Sequence, residues 1–237
     1  MKRRFFLKST AIFATLGCTS SFFLSTGLFA NDKKMDFRVV SLEKVTILQD
    51  GESKNFCSVC GMSLNMFYKT NHAVNINGKT HQYCSIHCMH QEAMLKKILP
   101  DNPKVVDTAS LKFIDATTAI YVYSSSMPAT MSSISSYAFK NKEDAKKFQK
   151  KFGGSLLTYE EVSNATQKTL EDDIKLIDRR QSMAARRGEK IYKATCIKID
   201  KKFSTPAEAK AYILKNNVCP NLTQKELSQV AHYLTKK

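Results

Sequence analysis

The sequence predicts an α+β fold that is followed by a small helical module. Three patterns support this prediction. Two segments with strand-like alternation of apolar and polar residues precede a segment of helical periodicity, and the same order recurs later in a fainter form. Near its end, the chain carries two helix-start signals instead.

The first unit begins with residues 36–49, whose alternating apolar side chains predict a strand. Two further strands are predicted at residues 72–76 and 80–84. They flank Asn77 and Gly78, a pair that adopts positive φ readily and therefore favours a type I′ hairpin turn.

Ser85 is predicted to begin a helix that ends before Pro100, because apolar residues recur between them at spacings of three and four. These apolar positions are Ile86, Met89, Ala93, Met94 and Ile98. The order of the first unit is thus strands and then a helix.

The same plan appears a second time. Residues 111–123 and 136–140 are predicted as strands, Asn141 caps a helix, and Gly153-Gly154 ends it. At an offset of 54 residues the units pair Tyr83 with Tyr137, Met94 with Phe148, Lys96 with Lys150, Lys97 with Lys151 and Ile98 with Phe152. The pairing indicates a duplication that lost the thiols. The alternative is a chance alignment of two lysine-rich amphipathic helices.

Residues 1–30 predict an export signal, which is set apart from the folded domain. Residues 3–8, with the letters RRFFLK, match the twin-arginine pattern and precede an apolar stretch that continues to residue 30. Cleavage after Ala30 is the first expectation. The alternatives are lipidation of Cys18, in a poor attachment sequence, and retention of the apolar stretch as a membrane anchor. The predicted location is the periplasm.

The remaining chain is divided into an α+β domain at residues 31–162, a charged linker or helix at residues 163–187, and a helical module at residues 188–237. The formal charge is +16, and half of it lies between residues 168 and 237, which contain 16 basic and 8 acidic side chains. No nucleic-acid motif accompanies this charge, so a nucleic-acid partner is not predicted. An anionic membrane surface or an acidic protein suits the charge better.

Four cysteines give the most specific signal in the chain. Cys57 and Cys60 are followed by Gly61, whose access to positive φ turns the backbone back on itself in a knuckle. Cys84 and Cys88 lie four residues apart at the predicted helix start, where the amide dipoles favour a thiolate. A knuckle and a helix start are the places from which a treble-clef site takes its ligands. The pattern predicts a soft-metal site, and the alternatives are structural zinc and disulfides.

Methionine and histidine residues near these cysteines extend the set of candidate ligands. Thioethers bind Cu(I) well and zinc poorly, so a methionine ligand would favour Cu(I). Met62 in the knuckle sequence is the methionine predicted as a ligand, and Met127 in a serine-rich loop is a second candidate. His87 and His90 are indicated more weakly, since a histidine on a helix surface is common without a metal.

Several motifs are spread over residues 37–162. They are Cys57-Ser-Val-Cys60-Gly61-Met62, Tyr83-Cys84-Ser85, Ala119-Ile120-Tyr121-Val122, Tyr137-Ala138-Phe139, Asp144-Ala145 with Phe148, and Gly153-Gly154. Together they resemble the NosL family, the nitrous oxide reductase accessory proteins. The resemblance implies a pair of treble-clef-like ββα units, Cu(I) binding, and delivery of copper in the periplasm to nitrous oxide reductase or its assembly machinery.

The helical module resembles a c-type cytochrome that has lost its haem site. Residues 187–196 and the closing segment 227–234 carry this resemblance, but the C-x-x-C-H motif is absent. Covalent haem is therefore not expected. Cys196 and Cys219 are predicted to form a disulfide, as suits an exported module.

The function predicted from these patterns is a Cu(I) chaperone or accessory protein and not an enzyme. Because delivery requires release, we expect that two or three sulfurs bind the ion and that one edge of the site is exposed. One alternative is a thiol–disulfide exchange protein that uses Cys57 and Cys60, although such a motif usually opens a helix. Another is a zinc-binding interaction domain. No G-x-S-x-G, phosphate-loop or H-E-x-x-H motif occurs, so hydrolase and nucleotide chemistry are not predicted.

Overall fold

Two antiparallel sheets and five α-helices organise residues 36–237, the part of the chain that the computed structural model describes. The export signal predicted at residues 1–30, with Cys18 and the cleavage site after Ala30, lies outside the described residues. Within residues 36–237, no helix combines the length and the apolar character needed to span a bilayer.

The first sheet contains the predicted hairpin. Its strands are β1 (His72–Ile76), β2 (Lys79–Tyr83), β3 (Asp101–Val106) and β4 (Phe113–Asp115), in the order β2-β1-β3-β4 with antiparallel neighbours. Asn77 and Gly78 have φ values of 51° and 78°, as the predicted turn requires. The helix α1 (Ile86–Lys96) follows the hairpin, and Ser85 caps it.

The second sheet belongs to a unit that also consists of two paired strands followed by a helix. Its strands are β5 (Ile120–Tyr123), β6 (Ser136–Phe139) and β7 (Ser155–Leu157), in the order β6-β5-β7. The helix α2 (Lys142–Phe152) follows β6 and ends at Gly153, which has a φ of 72°. The predicted α+β fold class, with a helical part at the C-terminus, is confirmed.

The strand predicted at residues 36–49 is wrong. Two 3-10 helices precede β1, and the first of them, Leu42–Lys44, interrupts this segment, while the second is Leu64–Thr70. The N–H of Leu48 donates to the side-chain oxygen Oε1 of Gln82 at 2.8 Å and not to a neighbouring strand. The segment packs Phe37, Val45 and Ile47 against the cores without joining a sheet, whereas Leu42 is exposed.

The single strand predicted at residues 111–123 is also wrong, because a turn divides it into β4 and β5, which belong to different sheets. The carboxylate of Asp115 accepts hydrogen bonds from the N–H of Thr117 at 2.8 Å and from its hydroxyl at 2.6 Å. Aspartate favours this local turn over continued strand pairing. The sequence also failed to predict β3, in which Pro103 interrupts the strand-like pattern.

The helices of the C-terminal part are α3 (Tyr159–Thr195), α4 (Pro206–Asn216) and α5 (Gln224–Leu234). Residues 163–187 lie within α3. Thr223 and Glu226 form both hydrogen bonds of the predicted capping box of α5. At the start of α4 only one of the two forms, in which the side chain of Thr205 accepts from the N–H of Glu208. Each of these signals begins a helix where the sequence predicts it.

The end of α3 shares a core with α4 and α5. The predicted disulfide between Cys196 and Cys219 is present, and it ties the end of α3 to the loop that precedes α5. Where α3 meets α5, a Cβ added to Gly188 would overlap the backbone of Gln229. Only glycine permits the two helices to approach so closely at this point.

Candidate metal centre

The knuckle between the 3-10 helices is built on Gly61. The N–H of Gly61 donates to the carbonyl of Cys57 at 3.0 Å, and the N–H of Cys57 donates to the carbonyl of Met62 at 2.8 Å. Gly61 has a φ of 68°, in the left-handed region that glycine adopts at little cost. Its lack of a side chain also admits Pro206 of α4, whose Cβ would lie 2.8 Å from an added Cβ. The knuckle therefore turns tightly and is covered by α4.

The second pair of cysteines lies where β2 passes into α1. Cys84 directly follows β2, and Cys88 lies in the first turn of the helix. The N–H of Cys88 donates to the hydroxyl of Ser85 at 3.4 Å. The helix N-terminus contributes a partial positive charge, which favours negative charge on nearby sulfur.

The knuckle and the helix start bring the four thiols together, as predicted. The Sγ atoms of Cys57, Cys60, Cys84 and Cys88 all lie within 4.8 Å of one another. The Sγ distance is 3.5 Å between Cys60 and Cys84 and 3.7 Å between Cys84 and Cys88. A tetrahedral ion with metal–sulfur bonds of about 2.3 Å would place its sulfurs about 3.8 Å apart. The thiols are therefore arranged to share one ion, and none of them is in a disulfide.

The exposed edge predicted for this site is wrong. Cys57, Cys84 and Cys88 are 0% exposed, and Cys60 is 4% exposed. The thiols are buried because they lie in a core with Tyr121 and Val162, which come from later in the chain, and α4 also packs on the knuckle at Pro206. The sequence of the cysteine region alone contains no sign of this cover.

The cluster concentrates negative charge on one sulfur. Burial opposes ionisation of Cys57, but hydrogen bonds from the other three thiols outweigh it and hold the pKa of Cys57 well below its usual value. Burial, together with the hydrogen bond to Cys57, raises the pKa of Cys84. Hydrogen bonding to Cys57, followed by burial, raises the pKa of Cys88. The metal-free cluster therefore favours a single thiolate that the other thiols stabilise.

Lys210 of α4 adds a positive charge beside the knuckle. Its side chain is 2% exposed, and its ammonium donates to the carbonyl of Gly61 at 2.6 Å. Burial lowers the pKa of Lys210 to about 8, and the negative charge of the thiol cluster opposes this decrease. Sequence reasoning missed Lys210, because a single lysine in an alanine-rich helix resembles an ordinary surface residue.

A cleft of about 520 Å³ borders the cluster at Cys60. Met62 and Met131 line the cleft with Cys60, and both methionines also pack against the core that contains the thiols. The helices α3 and α5 supply other walls, which include Arg180, Lys225 and His232. Among the four cysteines, Cys60 is the one that this cleft reaches.

The structure does not bring Met127 or the histidines into the thiol cluster. Met127 packs against the separate aromatic cluster of Tyr137 and Phe148. His87 and His90 are buried, and burial lowers the pKa of His87 and lowers that of His90 to about 4. Both ring nitrogens of His87 lack a hydrogen-bond partner among residues 36–237. Among the described residues, the group of His, Cys, Asp and Glu side chains arranged to hold a metal consists of the four cysteines.

The comparison with curated proteins gives no match. Among solved structures, the chain is similar to the crystal structure of the copper chaperone NosL from Shewanella denitrificans, with 23% identity and a TM-score of 0.40. That similarity covers 52% of this chain and 98% of the other. The NosL family model matches residues 49–167, which include all four clustered cysteines and make up half of the sequence, and the chain therefore belongs to the NosL family.

Proposed function

We propose that this protein binds Cu(I) at Cys57, Cys60, Cys84 and Cys88, with Met62 as a further ligand, and delivers the ion to nitrous oxide reductase or its assembly machinery. Family membership and the thiol cluster support a copper-binding role. NosL proteins are not enzymes, in agreement with the prediction from the sequence. The observation that carries the proposal is the convergence of four sulfurs within 4.8 Å in a chain of this family.

Ligand chemistry supports Cu(I). Thiolates and thioethers are soft donors, and Cu(I) accepts both, whereas zinc binds thioethers poorly. The cleft beside Cys60 is lined by Met62 and Met131, so soft donors continue from the cluster toward the cleft. An ion could leave by exchanging a buried thiolate for a thioether and then for a ligand of the acceptor. Met62 has a place in this route as the methionine next to the knuckle glycine.

Delivery would take place in the periplasm, after export by the twin-arginine route that residues 3–8 indicate. This route carries folded proteins, so the thiols could be protected before they meet an oxidising compartment. The basic C-terminal part suits an acidic acceptor or an anionic membrane surface. Incubation of the copper-loaded protein with copper-free reductase should transfer copper, as measured by the absorption of the reductase copper centres, and no transfer would contradict the delivery step.

A structural zinc site is the second candidate, and the burial of all four thiols favours it, because structural zinc sites are closed. Thiol–disulfide exchange receives less support. Cys57 and Cys60 are buried in a knuckle, whereas an exchanging thiol needs access to its substrate. The choice to be tested is therefore between copper and zinc.

Anaerobic titration separates these two candidates. The reduced protein is titrated with Cu(I) in the presence of the chromogenic chelator bicinchoninate, and bound zinc is measured before and after. We expect one Cu(I) per chain and displacement of any zinc. The Cys196→Ser/Cys219→Ser variant should bind the same amount, because these cysteines lie outside the cluster. Stoichiometric zinc that survives Cu(I) competition would eliminate the chaperone proposal.

A further inference from the structure

Lys210 is an unusual residue in the core of a helical module. It lies between Ala209 and Ala211 in α4, and all three residues are buried. Its ammonium is 2.6 Å from the carbonyl oxygen of Gly61, and it lies 5.3 Å from the centre of the Phe56 ring. The side chain therefore reaches from α4 into the knuckle that carries two of the thiols.

This buried ammonium has no carboxylate partner among residues 36–237. The ion pair on the same helix is formed by Lys215 with Glu52, at the surface. A carbonyl and an aromatic ring supply only partial negative charge, and a buried ammonium is strongly disfavoured unless a full negative charge lies nearby. Gly61, whose carbonyl binds Lys210, directly follows Cys60, so the negative charge that the cluster holds on Cys57 belongs to the same knuckle.

Metal binding would increase that negative charge. A cluster of three thiolates and one Cu(I) carries a net charge of −2, and four thiolates with Cu(I) carry −3. The N-terminus of α1 offsets only part of this charge, since a helix end acts as about half a positive charge. A full positive charge that is already buried beside the knuckle is what a metal–thiolate centre requires.

We propose that Lys210 is the counter-cation of the metal–thiolate centre, a role that rests on the proposed function, and that metal loading thereby fixes α4 on the knuckle. The NosL family model ends at residue 167, so this positioning residue comes from the part of the chain beyond the match. Pro206 contacts Gly61 and Lys215 pairs with Glu52, so α4 is held along its length. Loss of the metal weakens the attraction at the centre of this contact, because a single thiolate remains, and leaves the flanking contacts unchanged.

The test compares Lys210→Gln with Lys202→Met. Lys210→Gln retains a donor for the Gly61 carbonyl but removes the charge, while Lys202→Met removes an exposed charge from the loop before α4. The Cu(I) dissociation constant is measured by competition with bicinchoninate. The denaturant midpoint of the metal-free protein is measured by circular dichroism, since the chain has no tryptophan. We expect Lys210→Gln to weaken Cu(I) binding at least tenfold with an unchanged or higher metal-free midpoint, and Lys202→Met to change neither quantity.

Opposite effects on the two quantities distinguish a counter-cation from a packing residue. Equal Cu(I) affinity of Lys210→Gln and the wild type would overturn the proposal, as would a lower metal-free midpoint that accompanies the loss of affinity. If Lys210→Gln fails to fold, the proposal is also wrong, because the metal-free cluster balances the charge of Lys210 only in part and removal of that charge should not unfold the metal-free protein. The same comparison is made with Zn(II), whose tetrathiolate carries a net charge of −2. If the wild type binds zinc and not Cu(I), the proposed function is wrong. The zinc affinities of the wild type and the two variants then decide the role of Lys210.

Discussion

Gly61→Ala should destabilise the protein by two separable effects. Gly61 has a φ of 68°, and a non-glycine residue in this left-handed region costs about 1–2 kcal/mol. The new Cβ would also lie 2.8 Å from Pro206 Cβ and 2.9 Å from its carbonyl carbon. Such overpacking costs a further 1–3 kcal/mol or so. We therefore expect a loss of about 2–5 kcal/mol in the free energy of unfolding.

Gly78→Ala is the matched control for this prediction. Gly78 has a φ of 78°, but nothing lies within 4 Å of a Cβ added there, so only the backbone cost of about 1–2 kcal/mol applies. Denaturation of the metal-free proteins is followed by circular dichroism. The difference between the two variants isolates the contact between the knuckle and α4.

The two variants should also differ in copper binding. In Gly61→Ala, α4 must shift away from the knuckle, which weakens the hydrogen bond from Lys210 to the Gly61 carbonyl. We expect faster Cu(I) release to bicinchoninate from Gly61→Ala, and a wild-type rate from Gly78→Ala. Equal losses of stability in the two variants would refute the inference that α4 presses on the knuckle.

Other predictions concern single features of the chain. Met62→Leu should weaken Cu(I) binding about tenfold by chelator competition with the unfolding midpoint unchanged, since a thioether is replaced by an apolar group of similar size; unchanged affinity would count against its ligand role. Burial raises the pKa of Glu92, but hydrogen bonds from His81 and other neighbours outweigh it and lower the pKa to about 2. Its stabilisation is therefore complete above its ordinary pKa of 4.5 and is lost as the pH falls toward 2, so acid titration of Glu92→Gln should show a smaller loss of stability, by at most about 3 kcal/mol. Cys196→Ser/Cys219→Ser opens a loop of 23 residues and should cost about 3 kcal/mol in denaturation measurements; a loss below 1 kcal/mol or so would contradict the chain-entropy account.

The parts of the fold that the sequence predicted correctly depend on neighbouring residues. Asn77 and Gly78 specify their turn by their own backbone preferences, and Ser85 caps α1 within a single turn of helix. The convergence of the cysteines was predictable for the same reason, since the knuckle and the helix start each fix the direction of a sulfur pair locally. Two such pairs on either side of a hairpin have little freedom to remain apart.

The features that the sequence did not predict depend on contacts between distant segments. The hydrogen bond from Lys210 to Gly61 spans 149 residues, and neither residue differs locally from an ordinary lysine or turn glycine. The burial of the thiols depends on core residues such as Tyr121 and Val162, which come from later in the chain, so an exposed edge was the natural prediction for the cysteine region alone. Residues 36–49 show the same limit, because an alternation of apolar and polar residues contains no information on strand partners.

The length of α3 has a consequence for how this chain could vary. Its 37 residues span about 55 Å, and Gly188 meets α5 about 44 Å from the start of the helix. One inserted residue would rotate everything beyond it by about 100°, while seven would nearly restore the direction but add about 10 Å of length. Either change would displace Lys210 from Gly61, because the end of α3 shares a core with α4 and α5 and would carry both helices with it. The length of α3 therefore fixes where α4 meets the knuckle. A chain that keeps this contact has little freedom to gain or lose residues within the helix.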